Sequence, residues 1–181
     1  MSRRVLIASC LVLCLAALSA CGGSSGDSQG TSATVPGGGA RTVEEPFRTP
    51  GGDNSILEAG RAASPAELAQ AAAVLHAFLG ARAAGDWQRV CLQMTPALAR
   101  SIGPLLKLGP ADCAKALARL STGVPERTLR AGARVRVGAL RVMGRRGFLL
   151  FHGPAGEALY IPVGRDGGGW KIAAIAPSAL S

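Results

Sequence analysis

Aromatic residues are scarce in this chain, with one Tyr, two Trp and four Phe in 181 residues. Proteins that bind single-stranded nucleic acid interleave aromatic faces with basic side chains, and without such interleaving nucleic acid is excluded as a partner. Histidine is scarcer still. His76 and His152 fall in separate segments, and neither stands at metal-ligand spacing from a second histidine or a cysteine pair; no metal site and no cofactor are expected. Glycine is abundant but in the wrong contexts for phosphate binding: Gly37-Gly38-Gly39 lies in a low-complexity stretch, and the run at 164–169 is a turn with no helix after it. The longest uncharged apolar run, Val5 to Leu18, has roughly 14 residues, short of the ~20 that cross a bilayer as a helix. Acid is also limited, with 11 Asp and Glu against 20 Lys and Arg, a formal net charge of +9.

What is present begins with targeting. Arg3 and Arg4 precede the apolar run, and the small residues Ser19 and Ala20 follow it, which is the order of a signal peptide over 1–20. Leu18-Ser19-Ala20-Cys21 resembles the lipobox of bacterial lipoproteins, and Gly22-Gly23 continues the resemblance. It implies cleavage before Cys21 and a diacylglyceryl group on its thiol. Each buried methylene contributes ~0.8 kcal/mol, so two acyl chains make a stable anchor where one is marginal. The expected place is the extracytoplasmic face of the cell membrane. An ordinary secreted protein with a cysteine at its cleavage site is the alternative. Ser2-Arg3-Arg4 is also a partial twin-arginine signal; the strongly apolar run favours the general secretory route.

Of five cysteines, Cys10 and Cys14 leave with the signal peptide and the lipid consumes Cys21, which leaves Cys91 and Cys113. An exported compartment permits their oxidation, and a loop of roughly 20 residues closed by a disulfide gives about 3 kcal/mol. Two buried free thiols are the alternative. From Cys21 to Ala63 the chain is rich in Gly, Ser, Thr and Pro, with isolated hydrophobes at Val43, Phe47, Ile56 and Leu57. That composition predicts a flexible tether over 21–63 with a mean reach of roughly 35 Å.

Folded structure is expected over 64–177, with 178–181 as a tail. Ser64-Pro65-Ala66-Glu67 is a capping box with Pro at the first helical position, and Leu68, Ala71, Ala72, Leu75, Phe78 and Leu79 then recur at helical spacing up to a stop at Gly85. Asp86 opens a short helix carrying Trp87, Val90, Cys91 and Met94, Thr95-Pro96 opens a third with Leu98 and Ile102, and Gly109-Pro110 opens a fourth with Cys113, Leu117 and Leu120. Past Gly123 the period changes to two. Arg134 to Val142 reads as a strand bulged at Gly138-Ala139, followed by strands at 148–151, 158–163 and 170–175. Helices followed by strands define an α+β domain, with N-terminal helices on a curved antiparallel sheet of about four strands.

The stretch Phe78 to Trp87, ending in Gly85-Asp86-Trp87, and the closing Asp166-Gly167-Gly168-Gly169-Trp170-Lys171-Ile172 resemble the nuclear transport factor 2-like superfamily, in particular small actinobacterial lipoproteins of that cone-shaped fold (cystatin-like, SnoaL-like). The resemblance spans about 65 to 176, with one extra glycine in the closing motif and Ile172 where Val is usual. It implies a hollow between helices and sheet, with Trp87 and Trp170 filling the cone. Enzymes of the superfamily place an Asp–His or Asp–Tyr pair in that hollow, and no such constellation carries over to this chain.

Three side chains remain as weak catalytic candidates: His76 in the first helix, Asp86 at a cap and Tyr160 in a strand. A general base needs a partner that sets its protonation, and none is evident for His76. Between Arg127 and Arg146 lie seven arginines and no acid; Arg134, Arg136 and Arg141 are candidates for binding anionic lipid or envelope polymer. The leading expectation is a membrane-anchored envelope lipoprotein that binds a small apolar ligand or an envelope protein without catalysis. An isomerase- or hydrolase-type enzyme using the hollow, and a basic adaptor, are the alternatives.

Overall fold

Residues 44–62, where composition predicts a structureless tether, are folded against the domain in the computed structural model, which describes residues 44–180. The signal peptide, Cys21 and the first part of the expected tether lie outside the described residues. A 3₁₀ turn over Glu45–Phe47, a single helical turn α1 over Ser55–Glu58 and a two-residue strand β1 over Arg61–Ala62 form a strap. Composition sees only local sequence. Phe47 and Leu57, isolated in the chain, find their partners on a distant sheet and are 2% and 4% exposed.

The helices follow as their caps dictate. In α2, Pro65–Ala83, the Glu67 amide donates to the Ser64 hydroxyl while the Ser64 amide donates to the Glu67 carboxylate, closing the capping box. Gly85 at φ +69 then turns the chain in the left-handed region, which L side chains rarely adopt. Asp86 Oδ1 accepts from the Arg89 amide to start α3, Trp87–Gln93, and Thr95 Oγ1 accepts from the Leu98 amide to start α4, Pro96–Leu105. The helix α5, Cys113–Leu120, is joined to α3 by the Cys91–Cys113 disulfide, with Cα atoms 6.2 Å apart. Leu117 turns inward as the spacing predicts, whereas Leu120 is left largely exposed. A further helix, α6 over Glu126–Gly132, stands where the sequence reading has no element. It buries no residue fully and half-buries Leu129, too thin a stripe for periodicity to reveal.

The sheet has six strands, not about four. Beyond β1 these are β2 (Arg136–Met143), β3 (Arg146–His152), β4 (Ala158–Asp166), β5 (Gly169–Ile172) and β6 (Ser178–Ala179). Their order is β1-β2-β3-β4-β5, every pairing is antiparallel, and β6 joins β5 on the free edge of β4. The extra strands escape a periodicity reading because each is only two residues long, and the second falls in the expected tail. The domain is therefore α+β, with an open antiparallel sheet.

The bulge lies where the change of phase predicts it, with the β2–β3 register slipping between Val137 and Ala139. That slip keeps Val135 and Val137 on the same face as Leu140 and Val142, the face the helices cover. The other face carries Ala139 and Leu150 and is covered by Phe47 and Leu57 of the strap. At the bulge, a Cβ on Gly138 would strike the Phe47 ring, so the missing side chain is the socket for that phenylalanine.

Glu67 fastens three elements. Its carboxylate accepts both Arg61 Nη groups, at 2.9 and 2.8 Å, and Arg165 Nη2 at 2.6 Å, tying β1 and β4 to the start of α2. The Arg61 fork, together with the Ser64 amide, holds this carboxyl down at about 2. Arg165 also lies 4.7 Å over the ring of Trp170, which is 2% exposed. Trp170 thus belongs to the packed core, while Trp87 sits half-buried at its margin.

Candidate functional site

One face of α2 presents Leu75, Phe78, Leu79 and Arg82, the i, i+3, i+4, i+7 set of a single helical stripe. The first two of these pack in the core, and the stripe runs from them out to Arg82. Together with α6 and strands β3 and β4 this stripe lines a cavity of about 240 Å³ that opens to solvent on one side. Phe78, Val135, Phe151 and Ile161 form its floor and are all at least nine-tenths buried. Leu129 of α6 and Leu159 of β4 form half-buried walls, and Val124, Pro154 and Pro177 lie around the mouth. Almost every lining side chain is hydrocarbon.

Two charged groups reach this lining, Arg82 and Glu157. Glu157 is exposed, and its carboxylate already accepts the Ala155 amide at 2.9 Å within the β3–β4 turn. Arg82 is the more embedded of the two. Its guanidinium lies 5.5 Å from the Phe78 ring centroid, its Nη1 donates to the Ile175 carbonyl at 3.4 Å, and burial lowers its pKa. No carboxylate among the described residues pairs with it.

The three catalytic candidates lie apart from one another and outside the cavity lining. His76 is exposed, about 100° around α2 from Leu75. Asp86 is exposed and occupied as the cap of α3. Tyr160 sits on the other face of the sheet, edge-on to Phe148 at 5.7 Å. Among the described residues no three His, Cys, Asp or Glu side chains gather as a metal site requires, and no helix is long and apolar enough to cross a membrane.

The arginine candidates divide. Arg134 and Arg136 are exposed and line one shallow depression with His152. Arg134 precedes β2 instead of lying in it, a shift that leaves the pair on one side as the alternation predicts. Arg141 is committed elsewhere. Its Nε and Nη2 donate to the Ala59 and Gly60 carbonyls, and its Nη1 to Glu44 Oε1 at 2.9 Å. With 12% of its side chain exposed, Arg141 is a clamp on the strap and not a surface cation. A wider groove of about 870 Å³ lies beside α4. Its lining mixes Thr95, Ser101 and the last two arginines of the basic run, Arg145 and Arg146, with apolar residues, and it holds none of His76, Asp86, Tyr160, Arg134, Arg136 and Arg141.

The fold thus defines a small α+β domain with an apolar hollow between its helices and one face of an antiparallel sheet. No family model, curated protein or solved structure matches the chain.

Proposed function

We propose that the chain is a membrane-anchored envelope lipoprotein whose domain, a nuclear transport factor 2-like cone, holds a small apolar ligand without catalysing a reaction on it. The observation that carries this reading is the composition of the cavity: buried hydrocarbon on its floor, and none of His76, Asp86 or Tyr160 in its lining. Ligand sites are concave and mostly apolar, with few polar groups that fix orientation. At about 240 Å³, the cavity exceeds the ~150 Å³ that holds benzene and falls below the ~300 Å³ at which drug-sized pockets begin. A ligand on the order of ten non-hydrogen atoms fits that range.

Gly132 gives the test. It lines the cavity at the end of α6, and a Cβ built there meets no atom within 4 Å. Gly132→Phe is expected to fill the hollow and abolish octanol binding, measured by titration calorimetry of the full chain in nanodiscs with empty nanodiscs subtracted, while the melting temperature stays the same or rises. Unchanged octanol affinity in a folded Gly132→Phe variant would place the ligand elsewhere. The lipid anchor is tested separately, because Cys21→Ala should abolish incorporation of labelled palmitate. Labelling that persists would remove the anchor from this reading.

A further inference from the structure

The cavity lining is mostly hydrocarbon, and of its polar members Arg82, Thr128 and Glu157, the arginine is the one that hydrocarbon packing does not explain. Arg82 stands at the fourth position of the stripe that lines it, where a leucine would extend the same wall. A guanidinium carries five donors in a planar fork and is built for bidentate contact with a carboxylate. Arg82 spends one of them on a long contact of 3.4 Å to the Ile175 carbonyl, and no carboxylate among the described residues, Glu157 of the same lining included, is within ion-pair distance of it. The other arginines held against the fold differ: Arg141 is paired with Glu44 and Arg165 with Glu67. Burial lowers the pKa of Arg82, as expected for a cation held against hydrocarbon with no counter-charge.

We propose that the ligand of this cavity is an amphiphile with a carboxylate head group, its carboxylate on the Arg82 guanidinium and its short hydrocarbon body among Phe78, Val135, Phe151 and Ile161, an inference that rests on the apolar-cavity reading above. The head group completes the ion pair that the fold leaves open. A dianionic phosphate would carry a second charge that the single Arg82 guanidinium leaves unmatched while Glu157 repels it. A single carboxylate also matches a single guanidinium fork. The volume limits the body to a medium chain or one ring, and octanoate, with about ten non-hydrogen atoms, is a suitable probe.

The experiment compares octanoate, octanol and octyl phosphate on the full chain in nanodiscs at neutral pH, with empty nanodiscs subtracted. Octanoate should bind roughly tenfold or more tighter than octanol, the effect of a charge-assisted hydrogen-bonded pair, and tighter than octyl phosphate. Arg82→Met should bring octanoate down to or below the affinity of octanol and leave octanol unchanged, while Arg82→Lys retains part of the preference. Raising the ionic strength on the unmodified chain should weaken octanoate and not octanol, a readout that does not depend on a variant folding. Equal affinity for octanoate and octanol would overturn the carboxylate and leave the apolar cavity standing. Tighter binding of octyl phosphate would overturn it in favour of a phosphate head group. Binding of none of the three would overturn both readings together.

Discussion

Phe47→Ala is expected to lower the unfolding free energy by about 3 to 5 kcal/mol, the cost of truncating a buried phenylalanine where neighbours cannot collapse into the gap. The gap would be confined. Phe47 stacks on His152 with ring centroids 4.6 Å apart, it lies over the bare α-carbon of Gly138, and Leu57, Ala139 and Leu150 complete the cluster around it. Gly138 has no side chain to offer, and Ala139 and Leu150 stand on paired strands, so the backbone on the sheet side cannot close the gap. Urea unfolding gives the magnitude. Limited proteolysis gives the place, because loss of Phe47 should expose residues 44–60 to cleavage well below the global transition. A loss under about 1 kcal/mol with no new cleavage would mean that the strap is not packed as described.

Removing the Cys91–Cys113 disulfide should cost about 3 kcal/mol. The bond spans 22 positions, and closing a loop of that length reduces the freedom of the unfolded chain by roughly this amount. The native side of the balance favours a full effect. The N-cap of α5, Asp112, makes no side-chain bond to that helix's amides, accepting instead from the Gly109 amide. Little besides Ala116 and Leu117 then holds α5 in the core once Cys113 is released. The check is the urea midpoint with and without reductant, repeated on Cys91→Ala/Cys113→Ala. A midpoint indifferent to reductant would show that α3 and α5 are held by packing alone.

The parts legible in the sequence are those governed by neighbours in the chain. Ser64, Asp86 and Thr95 announce their helices because a cap needs only the amide two or three residues on, and Gly138 announces the bulge because a period-two pattern must slip there. The strap was not legible, because Phe47 and Leu57 make sense only beside Leu150, about a hundred positions away. One hint was present: Phe148-Leu149-Leu150-Phe151 is apolar without alternation, the mark of a strand buried on both faces. Such a strand requires a second cover that the helices cannot supply.

The cavity was legible by half. Periodicity places Leu75, Phe78 and Leu79 on one face of α2, and one step further along the same stripe is Arg82. A cation in the last turn of a helix is ordinarily accounted for by the helix dipole, so its position on the apolar stripe is no signal in the sequence. His76, the residue that chemistry alone favours, is one position from Leu75 and therefore points well away. The opposite wall, α6, gave no signal because a helix that half-buries a single leucine has almost no amphipathic pattern. Arg141 differs from its sequence expectation for a related reason: a run of seven arginines looks like one electropositive surface, whereas the partners of Arg141, Ala59, Gly60 and Glu44, lie some 80 to 97 positions earlier.

The strap also has a mechanical consequence. Tension arriving along the chain from ahead of residue 44 meets the Glu44–Arg141 pair and the Phe47 socket before it reaches α2. Both lie on the face of the sheet opposite the helices, so a tug from the N-terminal side acts first on the back cover and only then on α2.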